Sequence, residues 1–245
     1  MLRREFCNAT LGSMLTYSLL ETLFSRDAFS AEIKPVAAQW LASIDQLGRD
    51  VKGKKLKQVE WQKKIEELFA KADLPDILKF IDFEKLTGSV KYPAQGEVSL
   101  KPKFPEVEGL PKDLVFGSQV FALQKGRSVV PHGHDNMCTA FLILKGDFHG
   151  RHYDRLEDIA DSMIIKPTVD AKFTVGGCST VSDDKDNVHW FQATSETAFI
   201  FNIHVMSVKP GRTGRVYIDP NGEKLSDGRI RAKKLKHEEV YKLYG

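Results

Sequence analysis

Pro131-His132-Gly133-His134 sits inside a segment that opens at Gly126 and closes at Gly146, with the apolar run Ala140 to Leu144 near its end. On a β-strand alternate side chains share a face, so His132 and His134 point the same way and can grip one metal ion. Two histidines leave such a site incomplete. The best third donor is His189, in the strand-like run Asn187-Val188-His189-Trp190-Phe191. The chain must therefore fold so that two strands far apart in sequence face one point.

The rest of the sequence permits such a fold. Its 245 residues are 42% hydrophobic, enough for a substantial core. A net charge of +3, spread over many charges of both signs, gives no reason to expect a nucleic-acid partner. The locally basic runs Lys52 to Lys57 and Arg229 to His237 read as solvated faces. No stretch of about twenty apolar residues occurs, so no permanent membrane span is expected. Three cysteines, Cys7, Cys138 and Cys178, make no disulfide framework.

Four stretches follow one another. Residues 1–30 carry Arg3-Arg4-Glu5-Phe6, an apolar run from Leu11 to Phe24, and Ala28-Phe29-Ser30-Ala31. They resemble a twin-arginine export signal, which implies passage through that machinery to the periplasm; a cytoplasmic protein with an ordinary N-terminal helix is the alternative. Residues 31–89 read as helical. One amphipathic helix carries Val36, Trp40, Leu41, Ile44 and Val51 and is interrupted at Gly53, a second runs to Pro75, and a third ends before Gly88. This segment either packs on the following domain or lids it.

Residues 90–212 change texture to short apolar runs broken by Gly, Pro and Asp, as an all-β barrel or sandwich requires. Strands are expected near Val98–Leu100, Ser118–Gln124, Cys138–Leu144, Phe148–Tyr153, Met163–Ile165, Phe173–Val175, Val188–Ala193 and Ala198–Val205. In residues 213–245, Tyr217 to Gly222 reads as a strand entering a turn and Leu235 to Tyr244 as a short helix.

The spacing resembles the first motif of the cupins: Gly126, five residues, His132 and His134, a further ligand position, and Gly146. In most metal cupins the further ligand is glutamate. Here a four-residue spacing puts Thr139 there and a three-residue spacing Cys138, neither a carboxylate. Three histidines without glutamate are similar to the thiol dioxygenases, the family of cysteine dioxygenase, cysteamine dioxygenase and the plant cysteine oxidases. The likeness continues through Met137, His149, Tyr153-Asp154 and Asn187-Val188-His189, covering roughly Ser118 to Val205.

That resemblance implies a cupin-type β-barrel (double-stranded β-helix) preceded by a helical segment. It also implies Fe(II) on His132, His134 and His189, and oxidation of a small thiol by O2 to a sulfinic acid. Imidazole donors alone suit Zn, Cu, Fe and Ni, with Mn a further alternative. Tyr153 and His204 are candidates for supporting roles, each with a packing role as its competitor. The family's thioether cross-link is not expected, since Cys138 is one residue out of register. For the arginine that grips a substrate carboxylate in that family, Arg127, Arg151 and Arg155 are candidates by proximity. Two alternatives stay open: another metal-dependent cupin enzyme, oxidising a phenol or diketone or isomerising a sugar, and a non-catalytic small-molecule binder.

Overall fold

The computed structural model describes residues 33–245; the expected export signal lies outside them. Among the described residues four helices come first: α1 (Ile33–Lys52), α2 (Gln58–Ala70), α3 (Leu74–Phe80) and α4 (Phe83–Thr87). Eleven strands follow among the described residues. They are β1 (Val98–Leu100), β2 (Gly117–Gln124), β3 (Ser128–Asp135), β4 (Met137–Lys145), β5 (Phe148–Asp158) and β6 (Ser162–Phe173), then β7 (Cys178–Val181), β8 (Val188–Ala193), β9 (Thr197–Met206), β10 (Gly214–Lys224) and β11 (Ile230–Lys234). Helix α5 (His237–Tyr244) comes last.

The strands pair in two antiparallel sheets. The first has the order β1-β2-β9-β4-β7; the second runs β3-β8-β5-β6 and is closed into a barrel by β11 and β10. Apart from the β5–β6 hairpin, which stays in the second sheet, successive strands from β2 to β9 alternate between sheets, the winding of a double-stranded β-helix, and the fold is a cupin-type barrel.

Period-two alternation in the first sheet makes two cores. Val120, Ala122, Cys138, Ala140, Leu142, Phe201 and Ile203 face outward and pack under the helices. Phe121, Leu123, Phe141, Ile143 and Ile200 face inward, against Phe148 and Phe191 of the second sheet. The helices cover the outer face rather than lid the barrel. Trp40 of α1 joins the layers, its ring 5.1 Å from Phe69 of α2 and 6.0 Å from Phe201 of β9. A third core, with Tyr153, Met163, Ile165, Val188, Ile218 and Ala232, lies within the closed second sheet.

Several elements differ from their sequence reading. The third helix is two, because Asp82 takes a left-handed backbone, φ 49°, between α3 and α4. The strand expected at Phe173–Val175 is displaced: Phe173 ends β6, Gly176 and Gly177 turn the chain, and the partly polar Cys178–Val181 forms β7. Arg229 to His237 is only half a solvated face, since Ile230 and Ala232 are buried between exposed Arg231 and Lys233. Lys52 to Lys57 is exposed apart from half-buried Leu56.

Because Trp40 is 2% exposed and bridges helix to sheet, Trp40→Ala should cost about 3–5 kcal/mol, read as a lower midpoint in urea unfolding. An unchanged midpoint would show that the helical layer does not stabilise the barrel.

Candidate metal centre

The pairing of β3 with β8 sets His132 opposite His189, and β3 itself puts His134 on the same face as His132. The three side chains are 3%, 2% and 1% exposed. His132 Nε2 lies 2.9 Å from His134 Nε2, which is 3.3 Å from His189 Nε2. Three nitrogens sharing one ion at about 2.0–2.1 Å, with angles of about 90–110°, stand about 2.8–3.4 Å apart. The side chains are therefore spaced as ligands of a single ion, and no other described residues form a comparable cluster of metal donors.

Their protonation fits as well. His132 Nδ1 is 2.8 Å from the Val130 carbonyl, which only an N–H can satisfy, so its Nε2 carries a lone pair. His134 Nδ1 is fixed by Thr139 Oγ1 at 3.1 Å. Burial, aided by the Arg215 charge, lowers His132 to about 3; burial, then repulsion from neighbouring histidines and the Arg215 charge, holds His134 and His189 well below the usual range. All three are neutral at pH 7, as metal coordination requires.

Asn187 holds this end of β3 in place. Its Oδ1 accepts from the His134 N–H at 3.3 Å, and its Nδ2 donates to the His134 carbonyl at 2.8 Å and the Ser182 carbonyl at 3.0 Å. The residue between the two histidines has to be small, because a Cβ on Gly133 would come within 2.9 Å of Asn187 Oδ1.

Beside the histidines is a cavity of about 260 Å³. Phe121, Phe141, Met137 and Met206 supply apolar lining, and Thr139, Asn202 and His204 polar lining. Asn202 Oδ1 and His204 Nδ1 are buried without a partner. His204 reaches over Gly117, where a Cβ would stand 2.4 Å from its Nε2. Its pKa is lowered by burial and then by Arg215. Arg215, exposed at the cavity mouth, pairs across β10–β3 with His134.

Of the residues singled out from sequence, His132, His134 and His189 come together, and His204 lies in the cavity wall. Tyr153 does not join them; it packs in the third core beside Val188 and does not line the cavity. His152 and His149 face opposite sides, His152 inward with Nε2 3.0 Å from Ser179 Oγ and His149 outward on Asp170. The three candidate arginines are engaged elsewhere. Arg127 donates to the Gly245 carbonyl, Arg151 lies 4.4 Å over Trp190, and Arg155 pairs with Asp135 and Asp158. Thr139, not Cys138, faces the histidines; the Cys138 thiol points to Gln58 of α2 at 3.4 Å. Both Cys138 and Cys178 are free.

Neither a protein-family model nor a curated protein matches the chain. Among solved structures it is similar to procruciferin, the 11S globulin of Brassica napus, with 11% identity and TM-score 0.32, over 42% of this chain and 23% of that one. It is also similar to a pumpkin pro-11S globulin (10%, TM-score 0.36, 54% and 30% of the two chains). An uncharacterised Klebsiella pneumoniae protein with a double-stranded β-helix domain gives 11% identity and TM-score 0.35, over 54% and 87%. The chain thus spans less than a third of either globulin. These scores are too low to carry an argument; the strand order above carries the fold.

His132→Ala, His134→Ala and His189→Ala should each cut bound metal from about one ion per chain to under about a tenth while the far-ultraviolet dichroism stays native. Asn187→Ala should keep the ligands but weaken Co(II) affinity by about 10–100-fold. Full metal content in His189→Ala would remove it as the third ligand.

Proposed function

We propose that this chain is a non-haem Fe(II) dioxygenase of the cupin type that adds both atoms of O2 to the sulfur of a small thiol, giving a sulfinic acid. The donor set carries this reading: three buried neutral imidazoles, with the Thr139 hydroxyl, bonded to His134, in place of a carboxylate. Three neutral ligands leave a divalent ion its whole charge, which favours an anionic thiolate as the next ligand. Iron, held by His132, His134 and His189, would supply the redox chemistry that joins sulfur and O2. The atoms balance as R–SH + O2 → R–SO2H, sulfur losing the four electrons that dioxygen gains.

The chain's own residues do the rest. Phe121, Phe141 and Met137 line the space beside the histidines and exclude water from it. Asn202 and His204 offer their unpartnered polar atoms to the reacting group from the cavity wall. Thr139 holds the His134 ring in orientation without adding charge.

With Fe(II)-loaded protein, at least one of cysteine, cysteamine and 3-mercaptopropionate should gain two oxygen atoms with matching oxygen uptake. Thr139→Glu, which sets a carboxylate beside the incoming sulfur, should slow this by about tenfold or more. Oxidation of a phenol or diketone with every thiol inert would replace this reading with another cupin oxygenase.

The proposed location is the periplasm, reached by the twin-arginine route, on the strength of Arg3-Arg4 and the small residues before Ala31. Exchanging both arginines for lysine should retain the protein in the cytoplasm, and the exported form should begin near Ala31. An exported chain that still starts at Met1 would contradict it.

A further inference from the structure

A second cavity of about 530 Å³ adjoins the metal cavity, and the two share Thr213, Gly214 and Arg215 in their walls. The outer space is bounded by the loop from Lys209 to Thr213, which is pinned rather than loose. Asn136 Nδ2 donates to the Gly211 carbonyl at 2.9 Å, and Asn136 Oδ1 accepts from the Lys209 N–H at 2.8 Å.

The charges around this junction do not cancel. Lys209 is neutralised by Asp183 at 3.0 Å, and Asp135 by Arg155 at 2.7 Å. Arg212 and Arg215 make no salt bridge among the described residues. Glu97 senses the Arg215 charge without contacting it. Two guanidinium groups therefore stand uncompensated along one path leading to the histidines, and a guanidinium is the side chain best shaped to take a carboxylate in two parallel hydrogen bonds. A ligand confined to the inner cavity would reach Arg215 alone and leave Arg212 and the outer space unused.

We infer that the substrate is an extended, multiply acidic thiol of small-peptide size. Its sulfur lies at the histidines, one carboxylate on Arg215, and its distal acidic group in the outer cavity against Arg212. This rests on the thiol reading for the reacting end only; recognition of the acidic part stands on the two arginines and the two cavities whose walls share Arg215.

The test uses the full-length, metal-loaded protein and titration calorimetry with S-methylglutathione, a peptide-sized dicarboxylate that has no free thiol, beside glutathione and the cationic cysteamine. S-methylglutathione should bind wild-type protein, and Arg215→Gln or Arg212→Gln should each weaken it about tenfold or more. Arg215→Lys should recover part of the loss, because charge without the planar fork restores only part of the contact. Arg231→Gln, which removes an exposed pair with Glu223 on β10, should change nothing, and cysteamine should respond to none of these variants. Equal binding in wild type and Arg215→Gln, or no binding to wild type, overturns the inference whatever the thiol chemistry. Arginine-dependent binding of S-methylglutathione, with glutathione neither oxidised nor altering the iron spectrum, sinks the thiol reading and leaves the acidic-ligand site standing.

Discussion

Three imidazole nitrogens aimed at one point in the buried interior are the constraint on which the other features of this barrel turn. At separations of 2.9 and 3.3 Å, neutral rings cannot satisfy one another fully, since each has one proton and two of the Nδ1 atoms are already bonded to Val130 and Thr139. A cation at the centre answers all three lone pairs. Burial assists, because it suppresses the protonation that would otherwise compete with the ion.

Holding that geometry takes the whole double-stranded β-helix. The His132–His189 pairing fixes two ligands by backbone register alone, whereas His134, near the end of β3, is held by the Asn187 amide on its N–H and carbonyl. The helical layer buries the outer face of the first sheet, leaving the inner face of β4 and β9 free to carry polar groups: Thr139, Asn202 and His204. Strands β10 and β11 close the second sheet, and β10 brings Arg215 beside His134.

The three clustered histidines could be read from the chain as candidate ligands because they obey the two simplest rules, period two along a strand and a repeated strand-like context around His189. The same rule decides between Thr139 and Cys138: adjacent strand residues face opposite ways, and the threonine is the inward one. Tyr153 stands apart from the histidines for a related reason, since it packs on the side of β5 away from them, next to a bulge that separates it from His152 in the pairing with β6. Arg215 and Asn202 carried no local signal. One follows the Lys209 to Gly214 break, and the other is a single polar residue in an apolar strand; only tertiary pairing shows that each borders the cavity. Strand β7 was hidden because a four-residue Cys-Ser-Thr-Val segment is too short and too polar to stand out against neighbouring turns.

The central claim is a metal held by three histidines and no carboxylate, open to a thiolate. X-ray absorption of the Fe(II)-loaded protein before and after adding cysteine tests it most directly. The account predicts three imidazole scatterers at about 2.1 Å with light oxygen donors completing the shell, and a new iron–sulfur distance once the thiol is added. A shell with fewer than three imidazoles, or one that takes up no sulfur, would contradict it.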